Sequence, residues 1–263
     1  MNPLVSIITV VYNGAKHIQD AFDSIARQDY KNIEHIIIDG GSTDGTIDLI
    51  KLNEEKVAYW ISEKDEGIYD AMNKGLQKAT GEIIGILNAD DMYYLDTIST
   101  IVDVFQKSGA DLVYGNLTKC NEIDGQQYER TEQPDLTRIK DTMSIFHPAT
   151  FVKKLVYDDL GLFDTQYTLS ADYEFILRCF LKGKTFEYLD HSLSKFRLIG
   201  VSNSSCVSYK EGYAILKRYN LPAQSEMLKL VGKCKRKRLL HGIVKLVPGS
   251  KSVIKKRQKR NWE

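Results

Sequence analysis

The stretch that decides the fold is EIIGILNADDMYYLD, residues 82–96. It opens as a short apolar run, typical of a strand buried on both faces of a sheet. The run then changes abruptly to the polar residues Asn88, Asp90 and Asp91. Two adjacent carboxylates at a strand end repel one another unless a cation or hydrogen-bond donors neutralise them. Because hard oxygen ligands suit Mg²⁺ or Mn²⁺, the stretch predicts a buried strand that ends at a divalent-metal site.

Three similar strands precede this one. Apolar runs at 4–11, 33–38, 57–61 and 82–87 alternate with segments of helical spacing at 15–27, 46–52 and 68–79. A further helix at 95–108 leads to a fifth strand at 111–117. Continuous β-branched runs separated by helices predict an α/β fold, with a mostly parallel central sheet covered by helices on both faces.

Each of the first four strands is followed by polar residues: YNG (12–14), DGGSTDG (39–45), SEKDEG (62–67) and NADD (88–91). The carboxyl ends of parallel strands share one edge, where open α/β sheets bind ligands, so we expect these segments to form one site. Taken singly they are weak signals, because Asp-Gly and Gly-Gly are common in turns and Tyr12 is equally compatible with a core aromatic. The glycines of DGGSTDG do not fit GxGxxG, which disfavours a dinucleotide-binding fold.

The second half of the chain is less regular. It predicts a hairpin around residues 124–125, a strand entering a short helix within 144–154 and a helix within 168–183. Two short strands are expected at 184–190 and 192–198. The expected organisation is one domain over 1–209, with halves at 1–117 and 118–209, followed by a tail over 210–263.

Charge is divided unevenly between this domain and the tail. Residues 210–263 carry 16 Lys or Arg and 3 Asp or Glu, a net charge of +13, which leaves −12 for residues 1–209. Apolar residues at near-helical spacing among these cations predict a basic amphipathic helix lying on an anionic membrane surface. A solvated, partly disordered tail is the alternative. Nucleic-acid binding is disfavoured, because few aromatic residues are interleaved to stack on bases.

The remaining composition points to a cytosolic protein. No window approaches eighteen uninterrupted apolar residues, so no transmembrane helix is expected, and the N-terminus predicts a first strand rather than a signal peptide. The four cysteines are widely spaced and lack a CxxC pair. Reduced thiols are therefore expected, and a zinc site is not.

Five segments carry a resemblance to a known family: VSIITVVYNG (5–14), IIIDGGSTDGT (36–46), DEGIYDAMNKG (65–75), GILNADD (85–91) and ADYEFILR (171–178). In this order they resemble family 2 glycosyltransferases of the GT-A fold, and most of all the bacterial enzymes that build surface polysaccharide or O-antigen. The resemblance covers about residues 3–205. It implies a Rossmann-like nucleotide-binding half and an acceptor-binding half.

The resemblance also implies roles for the residues at the strand ends. Tyr12 would border or stack on the base of a nucleotide-diphosphate sugar, usually a UDP-sugar. Asp39 would accept a hydrogen bond from the uracil imide, with Asp65 and Asp70 lining the nucleoside pocket. Asn88 would face the ribose.

The resemblance implies that the later motifs supply the metal ligands and the general base. Asp90, supported by Asp91, would bind Mn²⁺ or Mg²⁺, which bridges the diphosphate. On this interpretation Asn88→Asp is tolerated. Asp172 would be the general base of an inverting displacement, or else merely the cap of its helix. His147 and Arg197 would approach the acceptor or the diphosphate.

The expected enzyme transfers a sugar to a glycan or a polyprenyl-diphosphate-linked acceptor at the inner face of the cell membrane. Two alternatives stay open. A non-catalytic nucleotide-sugar-binding protein is disfavoured by the presence of Asp90, Asp91 and Asp172 together. A nucleotidyltransferase is disfavoured because no Gly-rich, basic phosphate loop follows the first strand.

Overall fold

The computed structural model describes residues 2–198 and 206–245, with side chains up to residue 236. The strands are β1 (Val5–Val11), β2 (Ile33–Asp39), β3 (Tyr59–Ser62), β4 (Ile83–Ile86), β5 (Met92–Tyr93), β6 (Leu112–Ile123), β7 (Gln126–Glu132), β8 (Thr150–Lys153) and β9 (Phe186–Arg197). The α-helices are α1 (Ile18–Ala26), α2 (Thr46–Leu52), α3 (Ile68–Lys78), α4 (Thr97–Ser108), α5 (Lys154–Leu160), α6 (Ala171–Leu181), α7 (Val207–Arg218) and α8 (Gln224–Lys245).

The strands form one mixed sheet in the order β3-β2-β1-β4-β8-β6-β9-β5, with β7 paired to β6. The four strands before residue 90 are mutually parallel, as the sequence predicts, so their polar ends share one edge. Antiparallel β8 joins this half to β6, and the second half is built around the long β6–β9 pair.

Helices cover both faces of the sheet, which confirms the predicted α/β class. On one face, Ala21 of α1 and Ile98 of α4 pack on the buried side chains of β1 and β4. On the other face, Met72 of α3 and Phe175 of α6 pack with the second side of the same strands. Full burial of each large apolar side chain contributes roughly 1.5–3 kcal/mol, so alternate residues of β1 stabilise two separate layers.

The packing of α3 on the sheet depends on a glycine. A Cβ atom at Gly75 would collide with the side chain of Ile8 on β1. The missing side chain lets α3 lie close against the sheet, and this fixes where the first turn of α3 meets the edge that carries the polar strand ends.

Two features of the second half differ from the expectations. The two short strands expected at 184–190 and 192–198 are one continuous strand, β9. A shift in its pairing register with β6, at Gly115 and Asn116, accommodates the interruption. The core continues past residue 209, since Ile215 and Leu216 of α7 and Met227 of α8 are buried in it. In the part of the chain that the structure describes, no helix is long and apolar enough to cross a membrane.

The expectation of four reduced thiols is wrong for two of them. Cys206 and Cys234 form a disulfide, with their Cα atoms 5.9 Å apart, while Cys120 and Cys179 are buried thiols. The bonded residues lie 28 positions apart in sequence. They meet because α8 folds back against α7, a contact that the spacing of the cysteines does not reveal.

Candidate functional site

The end of β2 is a closed hydrogen-bond network around Asp39. The Asp39 side chain is fully buried (0% exposed). Its Oδ2 accepts hydrogen bonds from the backbone N–H groups of Gly41 (3.1 Å) and Ser42 (2.9 Å) and from Ser62 Oγ (2.6 Å). Its Oδ1 accepts from Ser42 Oγ (2.5 Å). Asp39 therefore shapes the DGGSTDG loop and fastens it to the end of β3.

The same loop is fastened to the end of β1. The backbone N–H of Asn13 donates to Ser42 Oγ (2.7 Å), and Asn13 Oδ1 accepts from the backbone N–H of Thr43 (2.9 Å). Asp44 accepts from the backbone of Ala15 and from Thr46. The loops after β1 and β2 thus form one rigid rim, and they leave the Tyr12 side chain 67% exposed above it.

Tyr12, Gly40 and Asp65 lie together at one corner of this rim. A Cβ atom at residue 40 would lie 3.4 Å from Tyr12 Cδ2 and would collide with Asp65 Oδ2. Glycine at position 40 therefore allows the carboxylate of Asp65 to stand beside the exposed tyrosine ring. Asp65 Oδ1 accepts from the backbone N–H of Gly67 (3.0 Å), which fixes the orientation of the carboxylate.

Asp70 lies on the first turn of α3, behind this corner. Its Oδ2 accepts from the backbone N–H of Glu66 (3.1 Å) and pairs with Lys74 Nζ (3.4 Å), which also binds Glu63 (2.8 Å). Asp70 therefore braces the DEG turn that carries Asp65.

The end of β4 is organised differently from the end of β2. Asp91 is fully buried; its Oδ1 accepts from the backbone N–H of Arg197 (3.2 Å) and its Oδ2 from Asn88 Nδ2 (3.4 Å). Burial, followed by the neighbouring charge of Asp90, raises the pKa of Asp91 well above its usual range. Among the described residues, Asn88 Oδ1 is one of the few buried side-chain oxygens without a hydrogen-bond partner.

Asp90, the neighbour of Asp91, is half-buried. Burial raises the pKa of Asp90, and the nearby charges of His17 and Arg197 act in the opposite direction. The half-buried carboxylate of Asp90 and the unpartnered Asn88 Oδ1 follow the same strand, within two residues of each other.

Arg197 reaches this place from the end of β9. Its Nη2 forms an ion pair with Asp20 Oδ2 (2.7 Å), and its Nη1 lies 3.3 Å from His17 Nδ1 and 3.4 Å from the backbone oxygen of Asp90. Burial and the charge of Arg197 lower the pKa of His17. The guanidinium is thereby held against the strand end that carries Asp90.

Asp172 lies at the N-terminal end of α6, in the second half. Tyr69 of α3 donates its hydroxyl to Asp172 Oδ1 (2.7 Å), and the backbone N–H of Tyr173 donates to the same oxygen (2.8 Å). His147 lines the same small cavity as Asp172, with its Nε2 atom buried and unpartnered in the described structure. Burial lowers the pKa of His147.

The structure therefore brings the predicted residues together in two groups. One is the sheet edge with Tyr12, Asp39, Asp65, Asp70, Asn88, Asp90, Asp91 and Arg197; the other is the α6 terminus with Asp172 and His147. The sequence analysis did not single out Tyr69, Asp20 or His17. Tyr69 lies within the quoted motif DEGIYDAMNKG, but a buried aromatic residue on a helix is indistinguishable from core in sequence alone.

The donor set of the first group fits a cation that is held jointly with a substrate. No cluster of three or more His, Cys, Asp or Glu side chains able to hold a metal ion occurs within residues 2–198 and 206–236. Mg²⁺ is commonly bound by one or two carboxylates together with substrate phosphates and waters rather than by a cage of protein ligands. A half-buried Asp90 beside an unpartnered amide oxygen is compatible with that arrangement.

The sheet carries its acids at one edge, where open α/β sheets bind ligands, and comparison with known proteins identifies the family. The family model for glycosyl transferase family 2 matches residues 6–159, and the chain belongs to this family. It is 33% identical over 185 residues to a PGL/p-HBAD biosynthesis glycosyltransferase of Mycobacterium bovis, covering 68% of this chain and 70% of the relative. It is 30% identical over 202 residues to an uncharacterized glycosyltransferase of Rickettsia typhi, covering 73% of this chain and 63% of the relative. The protein is thus a glycosyltransferase.

Solved structures agree with the GT-A fold. Residues 1–349 of S. aureus TarS in complex with UDP superpose with a TM-score of 0.66 at 17% identity, covering 95% of this chain and 77% of that one. The chain spans only 42% of a longer TarS structure. A mannosyltransferase from Pyrobaculum calidifontis in complex with GDP-Man and Mn²⁺ gives a TM-score of 0.63 at 18% identity, covering 96% of this chain and 83% of that one.

Proposed function

We propose that the protein is an inverting, metal-dependent glycosyltransferase that moves a sugar from a UDP-sugar to a hydroxyl group of a glycan or lipid-linked acceptor. The observation that carries the proposal is the division of acids at the sheet edge. Asp39 and Asp91 are fully buried and accept hydrogen bonds from the protein, while Asp65 stands beside an exposed aromatic ring and Asp90 is half-buried at its strand end.

The nucleoside binds at the corner formed by Tyr12, Gly40 and Asp65. The Tyr12 ring stacks on the base, which buries an otherwise exposed aromatic surface. Asp65 accepts a hydrogen bond from the imide N–H of uracil, because an ionised carboxylate is an acceptor only. In this proposal Asp39 and Asp70 do not contact the nucleoside; they hold the DGGSTDG loop and the DEG turn in place. Asn88 Oδ1 accepts from a ribose hydroxyl.

The diphosphate lies over the end of β4. Asp90 would hold a divalent cation there, and Asp91 fixes the strand end by accepting from Asn88 and from the Arg197 backbone. A bound cation supplies Lewis-acid stabilisation of the charge left on the departing nucleotide. The Arg197 guanidinium, fastened to Asp20, keeps a positive charge beside the same phosphates.

Asp172 is the general base. As the acceptor oxygen forms its bond to the anomeric carbon, its proton passes to the Asp172 carboxylate. The bond between the anomeric carbon and the diphosphate oxygen breaks with its electron pair leaving on the nucleoside diphosphate, so one displacement inverts the centre. His147 lines the same small cavity as Asp172 and is assigned to the acceptor side of the base.

The acceptor belongs to a bacterial surface polysaccharide such as O-antigen and is carried on a polyprenyl diphosphate. This proposal places the enzyme in the cytoplasm, peripherally at the inner face of the membrane. Lys229, Lys233, Lys235 and Arg236 of α8 are exposed, and each basic residue near an anionic surface contributes roughly 1 kcal/mol of binding. The apolar positions of the predicted membrane-bound helix, from residue 239 onward, lie outside the residues whose side chains are described. The Cys206–Cys234 disulfide is uncommon in a cytoplasmic compartment, so alkylation of thiols at cell lysis tests this location.

A donor screen tests the function. Purified protein is incubated with a panel of UDP-sugars and with GDP-mannose, with Mn²⁺ or with EDTA, and nucleotide release is measured. We expect release from one UDP-sugar that requires the cation and falls by roughly 10²–10⁴-fold in Asp172→Asn, with donor binding retained. Binding of a UDP-sugar without any turnover would support a non-catalytic nucleotide-sugar-binding protein instead, and full turnover by Asp172→Asn would remove the base from the mechanism.

A further inference from the structure

We propose that Tyr69 is a positioning residue for the reaction: its hydroxyl holds Asp172 in the orientation of the general base and links that base to the donor-binding motif. The inference rests on the proposed function, since it concerns the residue proposed there as the base.

Within the described residues, both hydrogen bonds to the Asp172 side chain reach the same oxygen. Tyr69 donates from the side of α3 at 2.7 Å, and the backbone N–H of Tyr173 donates from within α6 at 2.8 Å. Two donors on Oδ1 fix the plane of the carboxylate and leave Oδ2 without a hydrogen bond from the described residues. Oδ2 is then the atom that takes the proton of the acceptor hydroxyl, and it acts from a fixed direction.

Tyr69 is suited to this task because it cannot move or ionise easily. Its side chain is only 6% exposed, and its ring packs against Phe163 with the ring centroids 5.5 Å apart. Burial, and then the charge of Asp172, raise the pKa of Tyr69 well above its usual range. The phenol therefore stays protonated and remains a hydrogen-bond donor while Asp172 gains and loses its proton.

The position of Tyr69 in the chain joins the two halves of the site. Tyr69 lies four residues after Asp65 and directly before Asp70, on the first turn of a helix held close to the sheet by Gly75. A donor that settles against Asp65 therefore contacts the segment that holds the base. Two other ionisable groups face this pair: the charge of Asp172 acts to raise the pKa of His147, against the effect of burial, and the charge of Glu211 of α7 acts to raise the pKa of Tyr69.

The test is Tyr69→Phe, which keeps the buried ring and removes only the hydroxyl. We expect kcat to fall by about 10–100-fold, because the base loses its fixed orientation. The KM for the donor and the melting temperature should stay close to those of the unmodified protein. A loss in KM or in folding, with kcat unchanged, would show a merely structural tyrosine.

The matched control is Tyr219→Phe. Tyr219 also donates its hydroxyl to a buried carboxylate of α6, that of Glu174, two residues beyond Asp172. Its loss should lower stability and leave kcat within about twofold, since Glu174 does not reach the reacting atoms. Equal kcat losses in the two variants would mean that general loosening of α6 explains both, and would overturn the inference.

A double-mutant cycle separates action through Asp172 from independent effects. Asp172→Glu keeps a carboxylate but moves it by one methylene, out of the geometry that Tyr69 holds. In that background we expect Tyr69→Phe to cost less than twofold in kcat. A full 10–100-fold loss in the Asp172→Glu background would contradict the inference, whereas unchanged turnover in Asp172→Asn would contradict the proposed base itself.

Discussion

The ends of β2 and β4 look alike in sequence and differ in structure. Each is a parallel strand that runs into an acid, Asp39 in one and Asp90 with Asp91 in the other. At the end of β2 the carboxylate accepts four hydrogen bonds from the protein and no part of it is exposed. At the end of β4 one acid is buried and bonded, while its neighbour is half-buried, and the amide oxygen of Asn88 has no partner among the described residues. A carboxylate with all its bonds inside the protein builds the scaffold, and one left partly open is available to a ligand.

The strongest test of this distinction compares Asp90→Ala with Asp91→Ala. We expect Asp90→Ala to lower cation-dependent turnover by about 10³-fold, equivalent to about 4 kcal/mol, with little change in melting temperature. Asp91→Ala should instead lower the melting temperature, because the Arg197 N–H and Asn88 Nδ2 lose their acceptor in a buried place. Turnover against Mn²⁺ concentration and thermal unfolding measure the two effects. An equal fall in melting temperature in both variants would show that the two acids do not have separate ligand-binding and structural roles.

The next comparison is between Asp39→Ala and Asp65→Ala at the nucleoside corner. Asp39→Ala leaves two buried loop N–H groups without an acceptor, so we expect a loss of about 3 kcal/mol in the free energy of unfolding. Asp65→Ala should raise the KM for the donor by about tenfold and leave stability within about 1 kcal/mol. Chemical denaturation and donor titration distinguish them. If Asp39→Ala folds normally and loses only donor affinity, the base contact belongs to Asp39, as the family resemblance implies.

These pairs show what the sequence could predict. The spacing of apolar residues predicts the first four strands and their helices to within a few residues of their observed bounds, because apolar runs and β-branched residues report burial directly. Parallel pairing alone predicts that the acids gather at one edge of the sheet. It does not predict which acids are structural and which are free to bind a ligand, because Asp39 and Asp65 differ only in which backbone N–H groups surround them. The disulfide and the Tyr69–Asp172 bond join segments far apart in sequence, and no local pattern marks either one.

Asn88→Asp gives a smaller effect and tests the amide. From sequence the substitution is expected to be tolerated, since an acid also binds a ribose hydroxyl. In the structure Asn88 Nδ2 donates to Asp91, so an acid there replaces an attraction with a repulsion between two buried carboxylates. We expect a loss of about 2 kcal/mol in the free energy of unfolding without a cation, partly restored by Mn²⁺. Asn88→Ser is the control, because it removes the amide without adding charge; equal stability of the Asp and Ser variants would contradict the argument.

The smallest expected effect on stability is at His35 in β2, a hydrogen-bonded polar residue away from the sheet edge that carries the acids. The ring is buried against Phe22, its Nε2 lies 2.9 Å from Thr9 Oγ1, and burial lowers its pKa from 6.5 to about 3. Between these values the unfolded chain binds a proton that the folded protein excludes, so stability falls as the pH drops below 6.5.

This linkage predicts a loss of about 1 kcal/mol from His35 between pH 6.5 and 5.5. Urea unfolding of His35→Gln should lack that part of the pH dependence, because glutamine keeps a polar partner for Thr9 and does not titrate. An unaltered slope in His35→Gln would mean that the buried imidazole is protonated in the folded protein, and that the hydrogen bond to Thr9 is not enough to hold a polar group neutral inside this sheet.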